Sequence, residues 1–333
     1  MAIGVKLAYV AAAIAVPMTA SGQTLPVSSL PAIPDLVTPT NGINLGNTSF
    51  YDGFSTLKPG ITVLQYVSYD HADSIVDQNG KDSPAFDRPK ISTSISLTQL
   101  SVATPVSIDG HRVGFDVLLP IINFSSSFGP RGLNLNNNGL GIGDIAFGPS
   151  LQFKPIMRAG RPLASVRVAL NILAPTGKFS RQRDINQSSG YWSMVPYLAW
   201  TVLPAKGWDI SGRFQYLHNF KTNKIPNPPE IPGFSFKDGK AGNMIFSNFA
   251  ISKSVSDRFS IGLNGYAMQQ ISNNRINGLG IANRKRSALF LGPGLRLDRF
   301  PSFALNANVY FPVEARNYIT GPKLNIQFIV PIK

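Results

Sequence analysis

Residues that could do chemistry are few and widely spaced in this 333-residue sequence. The three histidines, His71, His111 and His218, are not spaced as metal ligands, and none begins the His-x-Ser pattern of an outer-membrane phospholipase. The chain contains no cysteine, so thiolate metal sites, cysteine nucleophiles and disulfides are excluded. The sequence therefore predicts that the protein is not an enzyme and has no metal or cofactor.

A polar run from Asn134 to Gly143 is rich in Asn and Gly, and Asp144 follows it. The run precedes a predicted strand, whereas a nucleotide-binding loop lies between a strand and a helix and carries a lysine. Asn and Asp oxygens could bind a cation such as Ca²⁺. Ordinary turn formation explains the same residues more simply, and we favour it.

The charge balance is strongly basic, with 31 Lys and Arg against 17 Asp and Glu and a net charge of +14. Such a charge favours anionic partners, but the basic residues are not clustered with aromatics as in nucleic-acid-binding proteins, so no nucleic acid is expected. One group falls in predicted long loops, where it either meets lipopolysaccharide phosphates or is simply solvated. Its members are Lys178, Arg181, Arg183, Arg275, Arg284, Lys285 and Arg286.

The first 22 residues have the three-part layout of a cleaved export signal. Lys6 precedes an apolar run from Leu7 to Val16, and small residues follow. The run is too short to span a bilayer, which takes about 20 residues. The alternative is a buried N-terminal helix. We predict a signal peptide over residues 1–22.

Beyond about Gly60 the sequence alternates apolar and polar residues with period two, which is typical of strands with two different faces. About twelve such segments are separated in turn by short turns and long polar loops. Outer-membrane barrels sort their connections in this way, whereas the turns of a secreted β-sandwich need not sort by length. We predict an all-β fold: a transmembrane antiparallel β-barrel of about 12 strands over residues 60–333, with both termini in the periplasm.

An N-terminal extension over residues 23–59 separates the signal from the barrel. It is apolar, interrupted by proline, and shows neither strand nor helix periodicity. Two interpretations remain open: a disordered periplasmic leader, or a plug that folds into the lumen. The candidate plug residues are Leu25, Leu30, Ile33 and Leu36.

The alternation also separates lipid-facing from lumen-facing residues, and it predicts a polar pore lining. The predicted lining residues are Asp116, Gln152, Lys154, Arg167, Asn171, Arg213, Gln215, Asn264, Tyr266, Arg296, Asn306 and Tyr310. Four of them are basic and only Asp116 and Asp209 oppose these charges, so an open lumen would favour anions. If the side chains interlock instead, they merely fill a closed barrel.

Aromatic residues near the predicted strand ends loosely fit girdles at the two membrane interfaces. They are Tyr191, Trp192, Tyr197, Trp200, Trp208, Phe214, Tyr216, Phe220 and Tyr310.

Three predicted strands share the pattern x-Pro-x-Leu-x-hydrophobe, with Pro149, Pro196 and Pro293 facing outward. Proline cannot donate a ladder hydrogen bond, so within a barrel it implies a bulge or a kink. Each proline either ends pairing locally, or the kinks open the wall and give an apolar solute a sideways route.

The stretch from Gly141 to Gln152, GIGDIAFGPSLQ, resembles the Gly-x-Gly-Asp-x-x-x-Gly-Pro stretch of an exported bacterial family. That family is described as a transporter of the meta-pathway of phenol degradation, and it is similar to fatty-acid-transporter-like outer-membrane barrels. The turn from Ala174 to Gly177 is similar too. The resemblance implies a barrel that passes small hydrophobic or aromatic compounds, and the fatty-acid transporters raise the expectation of an N-terminal plug.

Taken together, these features predict a channel in the cell outer membrane for passive uptake of small hydrophobic or aromatic compounds. The alternative is a structural or surface-interaction barrel with a filled lumen and no transport. The expected partners are the lipid bilayer, lipopolysaccharide, the barrel assembly machinery and a small solute.

Overall fold

The computed structural model describes residues 35–40, 43–299 and 302–332. The predicted signal peptide and the candidate plug residues Leu25, Leu30 and Ile33 lie outside these residues. The described chain forms strands, and no helix in it could cross a membrane. Its twelve long strands are β1 (Gly60–Ala72), β2 (Lys90–Ile108), β3 (His111–Ser127), β4 (Ile145–Gln152), β5 (Arg161–Ala174), β6 (Ser193–Val202), β7 (Trp208–Asn219), β8 (Met244–Ser256), β9 (Phe259–Gln270), β10 (Ser287–Arg299), β11 (Phe303–Arg316) and β12 (Lys323–Ile332).

These strands close into a barrel. Each pairs antiparallel with the next along the chain, and β12 pairs with β1 from Ile61 opposite Ile332 to Asp70 opposite Lys323. A sheet in hydrocarbon must have no unpaired edge, and closure meets that requirement. The predicted 12-stranded antiparallel barrel is confirmed.

The connections at the two ends of the barrel differ in length. Those after the even-numbered strands are short and lie at one end, which we call the turn end. Those after the odd-numbered strands lie at the other end, which we call the loop end, and all of them are long except the six-residue connection between β11 and β12. Short strands tie the long loops together. Ser74–Ile75 pairs with Ile319–Thr320, and Arg275–Ile276 pairs with both Gly239–Lys240 and Leu279–Gly280.

The two faces of each barrel strand differ as the alternation predicts. In β3, Leu119 and Ile121 point outward and are 40% and 46% exposed, whereas Asp116 and Ile122 point inward and are 1% exposed. An apolar outer surface of this kind suits contact with lipid chains. Polar side chains are instead buried inside the barrel, where they pair with one another.

The aromatic girdles are only partly as expected. Trp192 and Trp208 are exposed on the outer surface. Tyr191, Tyr197 and Tyr310 are instead buried, so their assignment to a girdle is wrong. The hydroxyl groups of Tyr191 and Tyr310 donate to backbone carbonyl oxygens inside the barrel, which accounts for their orientation.

A segment without regular secondary structure lies inside the barrel. We call residues 35–40 and 43–56 the luminal segment. At the loop end Asp35 Oδ1 accepts a hydrogen bond from Asn274 Nδ2 at 2.6 Å. Near the turn end Gly53 N donates to Thr201 Oγ1 at 2.9 Å. The segment therefore runs the length of the barrel. Asp35 lies at the loop end, whereas Gly53 lies near the turn end.

Candidate functional site

The interior holds most of the predicted lining residues. Ten of the twelve are buried inside the barrel, and Asn171 lines an internal cavity. Lys154 is the exception: β4 ends at Gln152, and the Lys154 side chain is exposed beside Gly110 at the turn end. Its inclusion is wrong because the alternation was extended past the end of the strand.

The lumen does not have the excess of positive charge that the sequence suggests. Arg213 binds Asp52 of the luminal segment through two hydrogen bonds, Nε to Oδ2 at 2.8 Å and NH2 to Oδ1 at 2.6 Å. Arg296 donates to Asp298 Oδ2 at 2.8 Å. Because the luminal segment supplies a counter-charge that strand alternation could not place, the expected preference for anions loses its basis.

A continuous series of hydrogen bonds joins side chains of five neighbouring strands, and we call it the polar belt. Gln99 Nε2 donates to Asp116 Oδ1 at 3.0 Å, and the Tyr66 hydroxyl donates to Gln99 Oε1 at 3.0 Å. Across the seam between β1 and β12, Gln327 Nε2 donates to the Tyr66 hydroxyl at 3.2 Å. Asn306 Nδ2 donates to Gln327 Oε1 at 2.8 Å. The belt interlocks this side of the lumen.

The middle of the luminal segment is held by several barrel strands. Gly46 N donates to Asn248 Oδ1 at 2.9 Å, and the Tyr310 hydroxyl donates to Gly46 O at 2.8 Å. Gly46 has a φ of +73°, and a side chain there would collide with the rings of Tyr266 and Tyr310. Only glycine combines this conformation with so close an approach. Lys323 Nζ adds a bond to Leu45 O at 2.8 Å.

The lower part of the luminal segment is held as closely. Gly53 O accepts hydrogen bonds from Gln152 Nε2 at 3.1 Å and from Ser165 Oγ at 2.9 Å. A Cβ at position 53 would overlap the backbone of Thr201. The segment thus fills the lumen along β4 to β6 near the turn end.

Among the described residues, three cavities lie between the luminal segment and the barrel wall. The outer cavity, of about 420 Å³, is at the loop end, and below it are a middle cavity of about 120 Å³ and an inner cavity of about 40 Å³. Pro39 and Phe124 line both the outer and middle cavities, and Ile43 and Leu97 line both the middle and inner ones. The cavities therefore form a descending series.

The outer cavity has both apolar and polar walls. Phe86, Phe124 and Phe179 contribute aromatic surface. The charged side chains in its wall are Asp35, Asp77, Asp184, Arg284 and Arg286. Burial raises the pKa of Asp35 above its ordinary value, while the positive charge of Arg286 opposes the shift. The aromatic part of the wall suits contact with a small aromatic ligand.

Asp144 holds one wall of the outer cavity in place. Its Oδ1 accepts a hydrogen bond from Gly177 N at 3.1 Å, and its Oδ2 accepts from Ser189 N at 2.9 Å and from Ser189 Oγ at 2.7 Å. The loop between Gly177 and Ser189 contributes Phe179 to the cavity wall. Asp144 therefore positions a loop, and among the described residues no acidic or histidine cluster could hold a metal ion.

Each of the three prolines points outward and interrupts the ladder between its strand and the following one. At each interruption, two consecutive residues on each of the two strands have no partner in the ladder between them. Such a gap is expected at proline, which has no N–H group. The flanking pairs are Phe147–Ile172 and Ser150–Ala169, Met194–His218 and Tyr197–Gln215, and Leu291–Phe311 and Gly294–Asn308.

Two of these interruptions border the inner cavity. Asn171, which lies across from the skipped positions at Pro149, lines that cavity. Val195 and Tyr197, which flank Pro196, line it as well. Tyr197 is a cavity residue that the sequence analysis missed, although an outward Pro196 already requires its neighbour to face inward.

Comparisons with known proteins fit this architecture. A family model described as "Putative MetA-pathway of phenol degradation" matches residues 72–328. The sequence matches no curated protein. The fold is similar to the crystal structure of an outer membrane channel from Pseudomonas putida F1, with a TM-score of 0.70 and 14% identity over 85% of this chain and 98% of that chain.

Two further structures are more distant. The translocator domain of the autotransporter NalP from Neisseria meningitidis has a TM-score of 0.47 and 10% identity over 83% of this chain and 89% of that chain. A mutant of the TodX monoaromatic hydrocarbon channel has a TM-score of 0.42 and 10% identity, with coverage of 84% and 91%. Neither likeness is close enough to support an argument about this chain.

Proposed function

This chain belongs to the family described by the MetA-pathway model, and we propose that it is an outer-membrane channel for passive uptake of small hydrophobic or aromatic compounds. The descending series of cavities, with aromatic side chains in its wall at the loop end, carries the proposal. The closed sheet and apolar exterior support a location in the outer membrane. Diffusion down a gradient needs no cofactor, and the proposal assigns no catalytic residue.

The proposed route does not follow the barrel axis to the turn end. The polar belt and the lower luminal segment fill that path, as the bonds at Tyr66 and Gly53 illustrate. A solute would instead leave the inner cavity through the wall at Pro149 or Pro196, where ladder hydrogen bonds are already absent. The free energy of an apolar solute falls when it enters the hydrocarbon at that point. Pro293 does not line the three cavities, and we assign it a local kink only.

A structural or surface-interaction barrel is the second candidate. The polar belt and the contacts of the luminal segment favour it, because interlocked side chains leave no continuous aqueous pore. The two candidates differ in one respect that can be measured, namely whether any solute crosses the membrane through the protein.

Proposed partners at the loop end are the phosphates of lipopolysaccharide. Arg183, Arg275, Arg284 and Lys285 are exposed there. Lys178 is less available, because its Nζ donates to Asn138 O and Leu140 O within the loops. We also retain the bilayer and the barrel assembly machinery as expected partners of a barrel that must be inserted into a membrane.

Solute flux into liposomes tests the proposed function. The mature chain would be refolded into liposomes, and heat-modifiable gel mobility would establish that the barrel is folded. We expect a neutral aromatic solute to enter faster than it enters protein-free liposomes, and a small inorganic ion to enter no faster. Folded barrels that pass no aromatic solute would overturn the channel and favour the structural candidate.

A further inference from the structure

The outer wall of the barrel carries a groove that the proposed solute route does not use. The groove has a volume of about 310 Å³ and lies in the half of the barrel nearer the loop end. It follows a row of side chains paired in register from Phe214 on β7 through Ser247 and Ala267 to Leu289 on β10. Because Ser and Ala are small, a depression remains between the Phe214 ring and Leu289.

The groove is closed toward the turn end and open toward the loop end. On the turn-end side of Ala267, a side chain at Gly265 would collide with the ring of Phe249 and with Leu291, so these two residues cover that position. On the loop-end side the groove is lined by Gln269 and Ser287, which are paired in register. The groove thus changes from apolar to polar in the direction in which a membrane changes from hydrocarbon to headgroups.

Two cations lie directly beyond the polar end of the groove. Arg316 on β11 is paired in register with Ser287, and Lys285 lies two residues before Ser287 in the chain. Both side chains are exposed. The amide of Asn317 donates to Lys285 O at 2.9 Å, which holds the end of β11 beside the loop that carries Lys285. The structure therefore places two positive charges at the open end of the groove.

One acidic residue, Glu314, also lines the groove, and its Oε1 lies 3.1 Å from Arg316 NH2. The two side chains are 61% and 57% exposed, and exposed ion pairs contribute little to stability. Arg316 is therefore able to exchange this carboxylate for a phosphate, which the guanidinium fork matches at two oxygens. The two cations and one carboxylate sum to a charge of +1, which favours an anionic ligand.

From these observations we propose that the groove binds lipid A, the phosphorylated and acylated part of lipopolysaccharide. An acyl chain fills the depression over Ser247 and Ala267, and a phosphate contacts Lys285 and Arg316. Cations grouped beside a membrane bind anionic lipids, and burial of the chain adds to their affinity. The inference rests on the proposed location in the outer membrane, and it gives the proposed lipopolysaccharide contact a defined site on the barrel wall.

Binding of lipid A to the refolded chain in detergent, counted by native mass spectrometry, tests the apolar part of the site. Ala267→Leu and Ser247→Leu fill the groove, and each should weaken lipid A binding by about tenfold because several CH₂ groups of the acyl chain lose their contacts. Ala307→Leu, at an outward position of β11 outside the groove, is the matched control and should leave binding unchanged.

The same measurement tests the polar part of the site. Lys285→Gln and Arg316→Gln should each weaken lipid A binding by about fivefold, the effect of one cation beside an anionic lipid. Lys206→Gln and Arg258→Gln, which are exposed at the turn end, serve as controls. Phosphatidylglycerol is the competing anionic lipid, and we expect it to bind more weakly than lipid A because it carries one phosphate and two acyl chains.

The outcomes separate the lipid site from the channel. Lipid A binding that the groove-filling variants or the cation variants leave unchanged would overturn the site. Equal binding of phosphatidylglycerol would overturn the assignment to lipid A, and a dimer that Ala267→Leu dissociates would assign the groove to a second copy of the chain instead. Binding of lipid A without any aromatic flux would overturn the channel and retain the site. Gel mobility identifies any variant that fails to fold.

Discussion

Arg213 on β7 and Asp52 on the luminal segment form a bidentate ion pair whose side chains are only 6% and 8% exposed. The pair joins a segment without secondary structure to the barrel wall. Its geometry fits the planar fork of arginine, which matches both carboxylate oxygens. Removing one partner of such a pair leaves the other charged and buried, which is costly.

The first prediction concerns this pair. Asp52→Ala should destabilise the folded barrel by about 3–5 kcal/mol, because Arg213 stays buried without its counter-charge. The double variant Asp52→Leu/Arg213→Leu should be less destabilised than Asp52→Ala. The midpoint of thermal unfolding in detergent measures both effects, with Asp257→Ala at an exposed turn as control. Equal midpoints for Asp52→Ala and the control would contradict the prediction.

The second prediction tests the route through the wall. Pro149→Val and Pro196→Val each restore a backbone N–H at an interruption beside the inner cavity. One restored ladder bond is worth about 1 kcal/mol, so aromatic flux should fall about fivefold. Pro293→Val is the matched control, since that position does not line the cavities. If all three variants slow flux alike, the route does not pass through these two sites.

The third prediction concerns Asp144. Asp144→Ala removes three hydrogen bonds to the loop that carries Gly177 and Ser189. Limited proteolysis should cut this loop sooner in the variant, and aromatic solutes should bind the outer cavity more weakly. The thermal midpoint of the barrel should change little, because the strands keep their ladders. A large fall in the midpoint with an intact loop would instead assign Asp144 to barrel stability.

The fourth prediction uses the absence of native cysteine to locate the two ends of the luminal segment. In intact cells a membrane-impermeant maleimide should label Thr38→Cys, which lines the outer cavity, and not Thr56→Cys near the turn end. After the outer membrane is opened, Thr56→Cys should react as well. The reverse pattern would mean that the loop end faces the periplasm.

The fifth prediction follows from the raised pKa of Asp35. A carboxyl that binds its proton more tightly when buried favours the buried state at low pH, and this preference is lost as pH rises through the raised pKa. The ordinary pKa of an aspartate carboxyl is 3.8. A fluorophore on Thr38→Cys should therefore be less mobile at a pH just above 3.8 than at a pH of about 7. Asp35→Asn should abolish the difference in fluorescence anisotropy.

The strands could be predicted because each one separates lipid from a polar interior, so its alternation is strict. The start of β7 at Trp208 follows from that pattern. The same rule places Tyr197 inside, although its aromatic ring suggested an interface. Lys154 shows where the rule ends, since alternation by itself does not mark the last paired residue of a strand.

The luminal segment could not be predicted in the same way. Its residues have no period, because each one meets a different strand, and Asp52 gains its role only from the position of Arg213. Similarly, the residues next to Asp144 in the sequence predict only a turn. Its partner Ser189 is 45 residues further along the chain, a distance over which sequence pattern carries no information.

The pairing of β1 with β12 closes the barrel around the luminal segment. Protein chains rarely pass through closed loops, and the lumen is crowded by the polar belt. We therefore expect the luminal segment to pack against the partly formed sheet before β1 pairs with β12. On this view, the order of assembly is fixed by topology: the segment that occupies the lumen is the surface around which the barrel is wrapped.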